Sequence, residues 1–146
     1  MSGAHAMSAI TLHVTDEPSA EDSVGALDIL RTFTRASVPK LDNHDFALLL
    51  KDEAGTLVGG LIAQSRWGGF LVDILALSES LRGQGWGSNL LQKAEDEARR
   101  RGCHHMRLDT YAFQAKAFYE AHGFKVYGQI EGPEPYYPHY FMMKPL

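Results

Sequence analysis

At 146 residues, with 45% hydrophobic and 22% charged side chains, the chain has the size and composition of one globular domain with a sizeable core. Its 14 Lys and Arg against 18 Asp and Glu give a formal net charge of −4, which argues against nucleic-acid and anionic-membrane partners and suits a basic substrate such as an amine. No apolar run approaches the ~18 residues of a membrane span, and the lone Cys103 excludes an intrachain disulfide and fits a reducing compartment, so a cytoplasmic location is expected.

Residues 1–8, opening "MSGAHAM", lack the apolar core of a signal peptide and read as a disordered or expression-derived tail, leaving 9–146 as a single domain. "ITLHVTDEP" reads as an opening strand ended by Pro18. "SAEDSVGALDILRTFTRAS" predicts a helix with Ser19 as N-cap and Asp22 three residues on, close to a capping box. Val24, Leu27 and Leu30 give it one apolar face, Gly25 weakens it and Pro39 follows its end. "DFALLLKDEAGTLVGGLIAQSRW" predicts two strands around an "EAGT" turn, and "GGFLVDILALS" a nearly continuously apolar, central strand covered on both sides.

A helix over "WGSNLLQKAEDEARRRG" should turn Leu90, Leu91, Ala94 and Ala98 to the core and close at Gly102. Its charges pair at i,i+4 as Glu95 with Arg99, Asp96 with Arg100 and Glu97 with Arg101, which predicts a solvated face. "HHMRLDTY" is another strand. "QAKAFYEAHG" is a short helix with Ala115, Phe118, Tyr119 and His122 on one face and Gly123 closing it. "FKVYGQIEG" and "HYFMMKPL" are two final strands joined by "PEPYYP". The order βαβββαβαββ predicts a mixed α/β or α+β sandwich.

The segment "LRGQGWGSNLL" sets Gly83, Gly85 and Gly87 directly before a helix, an arrangement that exposes backbone N–H groups to an anion, phosphate above all. It is not a P-loop, because no lysine stands where the phosphates would need one. A dinucleotide fingerprint finds Gly83 and Gly85 but Ser88 in the third glycine position. Asp109 falls about 20 residues on, where a ribose-binding acid would lie, yet too little chain remains for the other parallel strands. A plain structural turn is the remaining alternative.

"RGQGWG" matches R-x-x-G-x-G/A through Arg82, Gly85 and Gly87, and "FQAKAFYEAHGF" is a short helix carrying Phe-Tyr and ending in Gly-Phe. Both segments, in this order with a helix and a strand between, resemble the GNAT superfamily of acyl-CoA-dependent N-acetyltransferases, and the likeness runs from about residue 9 to the end. The resemblance implies a mixed, mostly antiparallel sheet of about six to seven strands flanked by helices and splayed between the fourth and fifth. It implies acetyl-CoA as co-substrate. The pyrophosphate would sit on the backbone of Arg82, Gly83, Gln84, Gly85, Trp86, Gly87 and Ser88, with the Arg82 side chain as a further contact. The pantetheine arm would lie in the splay like an added strand, pairing with Leu77, while the Leu75 main-chain N–H polarises the thioester carbonyl. Gln114 stands where many relatives have Asn, and Phe118 and Tyr119 complete the expected cofactor contacts.

Acetyl transfer to an amine needs a base for the ammonium proton and an acid for the departing thiolate. Asp73 is a carboxylate inside an apolar strand, placed by alternation on the side of Leu75 and Leu77, where desolvation would raise its pKa toward that of a base. A structural, hydrogen-bonded Asp is the alternative. The resemblance puts Tyr119 at the position of the acid, against a plain core aromatic. His104 and His105 should point to opposite strand faces, and with Cys103 they form no ligand spacing; His122 and His139 read as satisfied surface or packing residues, and no metal is predicted.

The acceptor would meet the last loop, with Glu131, Glu134, Tyr136, Tyr137 and Tyr140, and aromatic walls from Trp67, Tyr111 and Phe113. The expected activity is direct acetyl transfer to a primary amine of a small molecule, with no acetyl-cysteine at Cys103. The alternatives are a non-catalytic acyl-CoA-binding or regulatory module of the same fold, or transfer to a protein lysine or N-terminus. Family habit suggests a homodimer.

Overall fold

A computed structural model describes residues 8–38 and 43–146. The chain divides into two units, residues 1–40 and 41–146. Most of the expected tail, residues 1–7, and Pro39 lie outside the described residues.

In the first unit, α1 (Ala20–Ser37) starts where the sequence signals it. Ser19 Oγ accepts from the Asp22 N–H at 3.0 Å, and the Asp22 carboxylate accepts from the Ser19 N–H at 3.2 Å, a complete capping box. The expected opening strand does not form: residues 8–19 carry no strand. Alternating Ile10, Leu12 and Val14 supply a strand pattern, but a strand needs a partner's ladder, and the only regular element described in this unit is a helix.

The second unit holds β1 (Asn43–Lys51), β2 (Leu57–Arg66), β3 (Gly69–Leu77), α2 (Trp86–Arg100), β4 (His105–Tyr111), α3 (Lys116–Ala121), β5 (Lys125–Ile130) and β6 (His139–Pro145), with one 3₁₀ turn at Glu79–Leu81. The sheet order is β1-β2-β3-β4-β6-β5, antiparallel throughout except for β3 beside β4. This is the expected mixed, mostly antiparallel sheet, with six strands. The Asp52 carboxylate shapes the β1–β2 turn by accepting from the N–H groups of Ala54 and Thr56, both at 2.9 Å.

Phe70, Leu61, Met106 and Met142 are the largest fully buried side chains, all from strands. Leu90, Leu91, Ala94 and Ala98 bring the apolar stripe of α2 onto them, as the spacing predicts. The helix closes through Gly102 at φ 75°, with Cys103 N–H on the Ala98 carbonyl at 2.9 Å and Gly102 N–H on the Arg99 carbonyl at 3.0 Å.

The charged run of α2 is less solvated than its sequence implies. Glu95 pairs with Arg99 and Glu97 with Arg101, but Arg100 turns to Glu97 rather than Asp96, which instead accepts from Gln92. Glu95 is buried and also accepts from Lys144 of β6 at 2.9 Å, tying helix to sheet. Arg101 reaches across to the Ser65 hydroxyl and the His44 carbonyl, both at 3.0 Å, with its guanidinium over the Phe46 ring.

The expectation of a β3 covered on both sides is corrected: Asp73, Ile74 and Ala76 are exposed. A bulge decides which residues take the exposed face. Ala63 faces Val72 and Ile62 faces Ile74, so Asp73 is the extra residue, and the buried parity passes from Phe70 and Val72 to Leu75 and Leu77. His104 and His105 are corrected too. His104 precedes β4, so strand alternation does not apply, and the two Nδ1 atoms lie 2.9 Å apart. Burial, followed by the charges of His104 and Arg107, lowers the His105 pKa.

Lys144→Met tests the tie between α2 and the sheet. Burial pushes the Glu95 pKa up, but hydrogen bonds from Lys144 and Arg99 outweigh it and hold the carboxyl below its ordinary 4.5. A depressed folded-state pKa contributes stability above the ordinary value, and that contribution is lost as pH falls through the depressed one. The substitution leaves burial opposed by Arg99 alone. Urea denaturation at neutral pH should show a loss of about 1–3 kcal/mol, and acid unfolding followed by circular dichroism should begin at higher pH than in the parent.

Candidate active site

Strands β3 and β4 pair at only three positions, Gly69 with His105, Phe70 with Met106 and Leu71 with Arg107. Beyond Leu71 they part, which is the expected splay, here between the third and fourth strands because the opening strand is absent. Two cavities occupy the parting. One of about 550 Å³ is lined by Leu75, Ala76, Leu77, Arg82, Gly87, Phe113, Gln114, Ala115, Phe118 and Tyr119. The other, about 350 Å³, is lined by residues 72–76 of β3, Leu108, Asp109 and Thr110 of β4, and Gln114, Ala115 and Tyr119. Leu75, Ala76, Gln114, Ala115 and Tyr119 line both, so the cavities adjoin there.

The larger cavity is reached by the glycine loop. Gly83 and Gly85 hold φ of 73° and 83°, a region open to glycine at little cost. Gly85 is the N-cap of α2 and offers no side-chain acceptor, so the helix's first N–H groups are left without that partner. Gly87 serves otherwise: it is helical, and a Cβ there would meet the Phe118 ring at 3.4 Å. The Gln84 side chain is spent locally, donating to the Ser80 carbonyl at 2.8 Å. Ser88 Oγ lies 2.9 Å from His122 Nε2, joining the first turn of α2 to the end of α3, and Trp86 is exposed. Arg82 supplies the positive charge of this cavity's lining.

Tyr119 stands at the junction. Its ring is buried against Phe118 and Phe124, and burial first, then the charge of Asp109, raises the phenol pKa above its ordinary 10.0. Such a phenol stays protonated at neutral pH and can donate. Gln114 holds the end of β4: its side-chain oxygen accepts from the Tyr111 N–H at 2.8 Å.

The smaller cavity carries the opposite sign. Asp73 and Leu75 both line it, whereas Leu77 lines only the larger one of these two. Asp73 is exposed and accepts from the Gln64 amide at 3.3 Å, so it lacks the desolvation expected for it. Across the gap lies Asp109, whose Oδ2 is 2.6 Å from His139 Nε2. His139 is stacked on Tyr111 at 4.2 Å.

Sequence reasoning set Asp109 aside with the dinucleotide alternative and took His139 for a surface or packing residue. No signal marks Asp109 in the sequence, because its strand, HMRLDTY, is already half polar and an acid does not stand out there. Phe113 lines the larger cavity and meets Tyr137 at 4.9 Å, while Tyr140 lies under the Lys116 ammonium. Glu131, Glu134 and Tyr136 line neither cavity. Trp67 is not a wall of the site: it sits in the β2–β3 turn, at the closed end of the β3–β4 pairing, under Arg66. Cys103 is buried and lines a different cavity with His44, Ser65 and Arg101. Among the described residues, no three His, Cys, Asp or Glu side chains gather into a metal-binding group, and no helix is long and apolar enough to cross a membrane.

The family model described as "Acetyltransferase (GNAT) family" matches residues 8–124. The acetyltransferase Atu2258 of Agrobacterium fabrum is 32% identical over 120 residues, covering 82% of this chain and 87% of the relative. A blasticidin-S acetyltransferase of Streptomyces morookaense is 35% identical over 95 residues, covering 64% and 70%. A crystal structure of an acetyltransferase from Bacillus cereus superposes with a TM-score of 0.75 at 26% identity, over 92% of this chain and 98% of that one. The sequence matches, this chain's splayed sheet and its glycine loop at the mouth of the splay agree, and the chain belongs to the GNAT family of acetyltransferases.

Proposed function

We propose that the chain is an acetyl-CoA-dependent N-acetyltransferase that acetylates a primary amine of a small molecule by direct transfer, with residues 9–146 acting as one domain. The observation that carries this reading is the pair of adjoining cavities of opposite charge: Arg82 and the loop N–H groups line or border one, Asp73 and Asp109 line the other, and Tyr119 and Leu75 stand where they meet. An anionic cofactor and a cationic acceptor would each find a complementary wall. The family match crosses both units of the chain, in support of one domain. The name of the Streptomyces relative, a blasticidin-S acetyltransferase, supports a small-molecule acceptor.

Acetyl-CoA supplies the thioester whose acyl group is transferred. The main-chain N–H groups from Arg82 to Ser88 hold its pyrophosphate, with the Arg82 guanidinium beside them. The pantetheine arm is held along β3, whose edge facing β4 has no strand partner beyond Leu71, through the main chain of Leu77. Phe118 and Gln114 flank it. The Leu75 N–H donates to the thioester carbonyl oxygen as negative charge grows there. Asp73 takes the proton of the acceptor ammonium, directly or through a water, so that the free amine attacks the carbonyl carbon. The carbon–sulfur bond breaks as the Tyr119 hydroxyl gives its proton to the sulfur; the nitrogen's second proton then passes to the resulting phenolate, directly or through a water, which leaves the neutral amide and restores the phenol, and Asp73 releases its own proton to solvent. The separate cavity around Cys103 supports transfer without an acyl-cysteine.

Three variants test these assignments. Gly85→Val forces a β-branched residue to φ 83°, a strain of about 1–2 kcal/mol. A thermal-shift titration should show acetyl-CoA affinity about tenfold weaker, as local strain of that size passes into binding. An undiminished shift would remove the loop from the cofactor site.

Tyr119→Phe should lower kcat about 10²-fold while acetyl-CoA binding by calorimetry stays as in the parent. With the phenol pKa raised, the parent's alkaline loss of kcat should come above the ordinary tyrosine range and be absent from the variant. Full turnover in Tyr119→Phe would eliminate it as the acid.

Asp73→Asn should likewise lose about 10²-fold in kcat with the cofactor still bound. If the parent chain binds acetyl-CoA yet transfers acetyl to none of a broad amine library, the non-catalytic module replaces the enzyme reading.

A further inference from the structure

The smaller cavity has a carboxylate on each side of the gap, and only Asp73 is used by the reaction described above. Asp109 is the other. It comes from β4, on the strand face shared with Tyr111 and, across the β4–β6 ladder, with Phe141 and His139. Tyr111 faces His139 directly in that ladder, and their rings stack at 4.2 Å with 10° between planes. On its other side the imidazole meets Phe141 at 4.5 Å. Held between two rings and 17% exposed, the His139 side chain has little freedom, and its Nε2 meets one oxygen of Asp109, Oδ2, at 2.6 Å. That contact holds one oxygen of the carboxylate in place. The Asp109 side chain is 51% exposed and lines the cavity, so its remaining acceptor capacity is open to a ligand.

We propose that Asp109, positioned by His139, is a specificity-determining residue that binds the acceptor's ammonium group opposite Asp73, and that the enzyme therefore selects alkyl amines charged at neutral pH over uncharged arylamines. The inference rests on the acetyltransferase reading above and deepens it. A neutral arylamine has no positive charge to offset the desolvation of two carboxylates, whereas an alkylammonium donates a charge-assisted hydrogen bond to each. The division of labour follows from the partners. Asp109 has one oxygen committed to an imidazole, whereas Asp73 receives only a long amide contact of 3.3 Å from Gln64. The more firmly held group anchors, and the other accepts the proton. The charge of Asp109 also reaches Tyr119, where it favours the protonated phenol that the leaving thiolate requires.

The test is steady-state kinetics with tyramine, agmatine and spermidine as charged acceptors and p-toluidine as the neutral one, acetyl-CoA binding being measured in parallel. Asp109→Asn should raise KM for the best charged acceptor about 10- to 100-fold, the loss of one charge-assisted hydrogen bond, with kcat changed far less and acetyl-CoA affinity unchanged. The half-exposed Asp109 should accept Asn without unfolding, and the retained acetyl-CoA shift verifies this. His139→Phe keeps the ring stack and loses the donor, so its KM should rise several-fold; His139→Gln restores a donor and should return most of it. Unchanged KM for the charged amine in Asp109→Asn, or a parent enzyme that prefers p-toluidine, overturns this inference and leaves the acetyltransferase reading standing. Acetyl-CoA binding with no acetylation of any of the four in the parent overturns the selection for charged amines, and extension of that failure to a broad amine library overturns the underlying reading as well.

Discussion

The short parallel pairing of β3 with β4 is the constraint on which the rest of the site depends. Three residue pairs hold the strands together, and past Leu71 and Arg107 each continues without the other, β3 to Leu77 and β4 to Tyr111. Backbone N–H and C=O groups on those edges need partners, and an unpaired edge in mid-sheet is costly unless water or a ligand supplies them. Both strands are kept in shape from their far sides. β2 runs along the whole of β3, and β6 along the whole of β4. The gap is therefore a rigid opening between two well-paired half-sheets rather than a frayed one.

The crossover that joins the parting strands decides where the charge goes. A parallel pair needs a helix between its strands, and α2 starts where β3 ends, so its N-terminus lies at the open end of the split. Gly83 and Gly85 make that approach possible by taking a backbone conformation that other residues reach only under strain. The positive end of the helix dipole and Arg82 then border one cavity. The bulge at Asp73 acts on the other. By inserting one residue it puts Leu75 and Leu77 on the parity of the buried Phe70 and Val72, and the carboxylate of Asp73 stays exposed at the smaller cavity, so an apolar strand is not asked to bury a charge.

Elements with local signals were legible in the sequence. Ser19 and Asp22 set the start of α1, Gly102 ended α2, and Gly123 ended α3, since each feature is a hydrogen-bonding requirement met within a few residues. The stripe of Leu90, Leu91, Ala94 and Ala98 was legible for the same reason. What failed was non-local. "ITLHVTDEP" has strand alternation, but alternation supplies no partner. Burial of Asp73 was inferred from apolar neighbours in the chain, and a bulge, which is a property of two strands' registers, has no signature in one strand's residues. The Arg100 pairing also departed from the plain i,i+4 rule, because Glu97 lies within reach of two arginines and Asp96 of none that binds it.

The same distinction separates the two sides of the candidate site. A cofactor cradle made of backbone favours glycines, because glycine takes the required φ without strain, and such positions stand out in any sequence. A wall made of side chains has no such restriction. Asp109 and His139 are 30 residues apart and meet only because β4 and β6 pair in one particular register, with Tyr111 opposite His139. A shift of one residue in that ladder would send His139 to the other face and leave Asp109 without it. Within one fold, then, the cradle is constrained by covalent geometry, while the acceptor wall can be rewritten by single side-chain changes on strands whose pairing stays the same. That asymmetry allows one scaffold to keep its glycine loop while its acceptors differ, and on the role proposed for Asp109 the β4–β6 ladder is where this chain's own acceptor would be encoded.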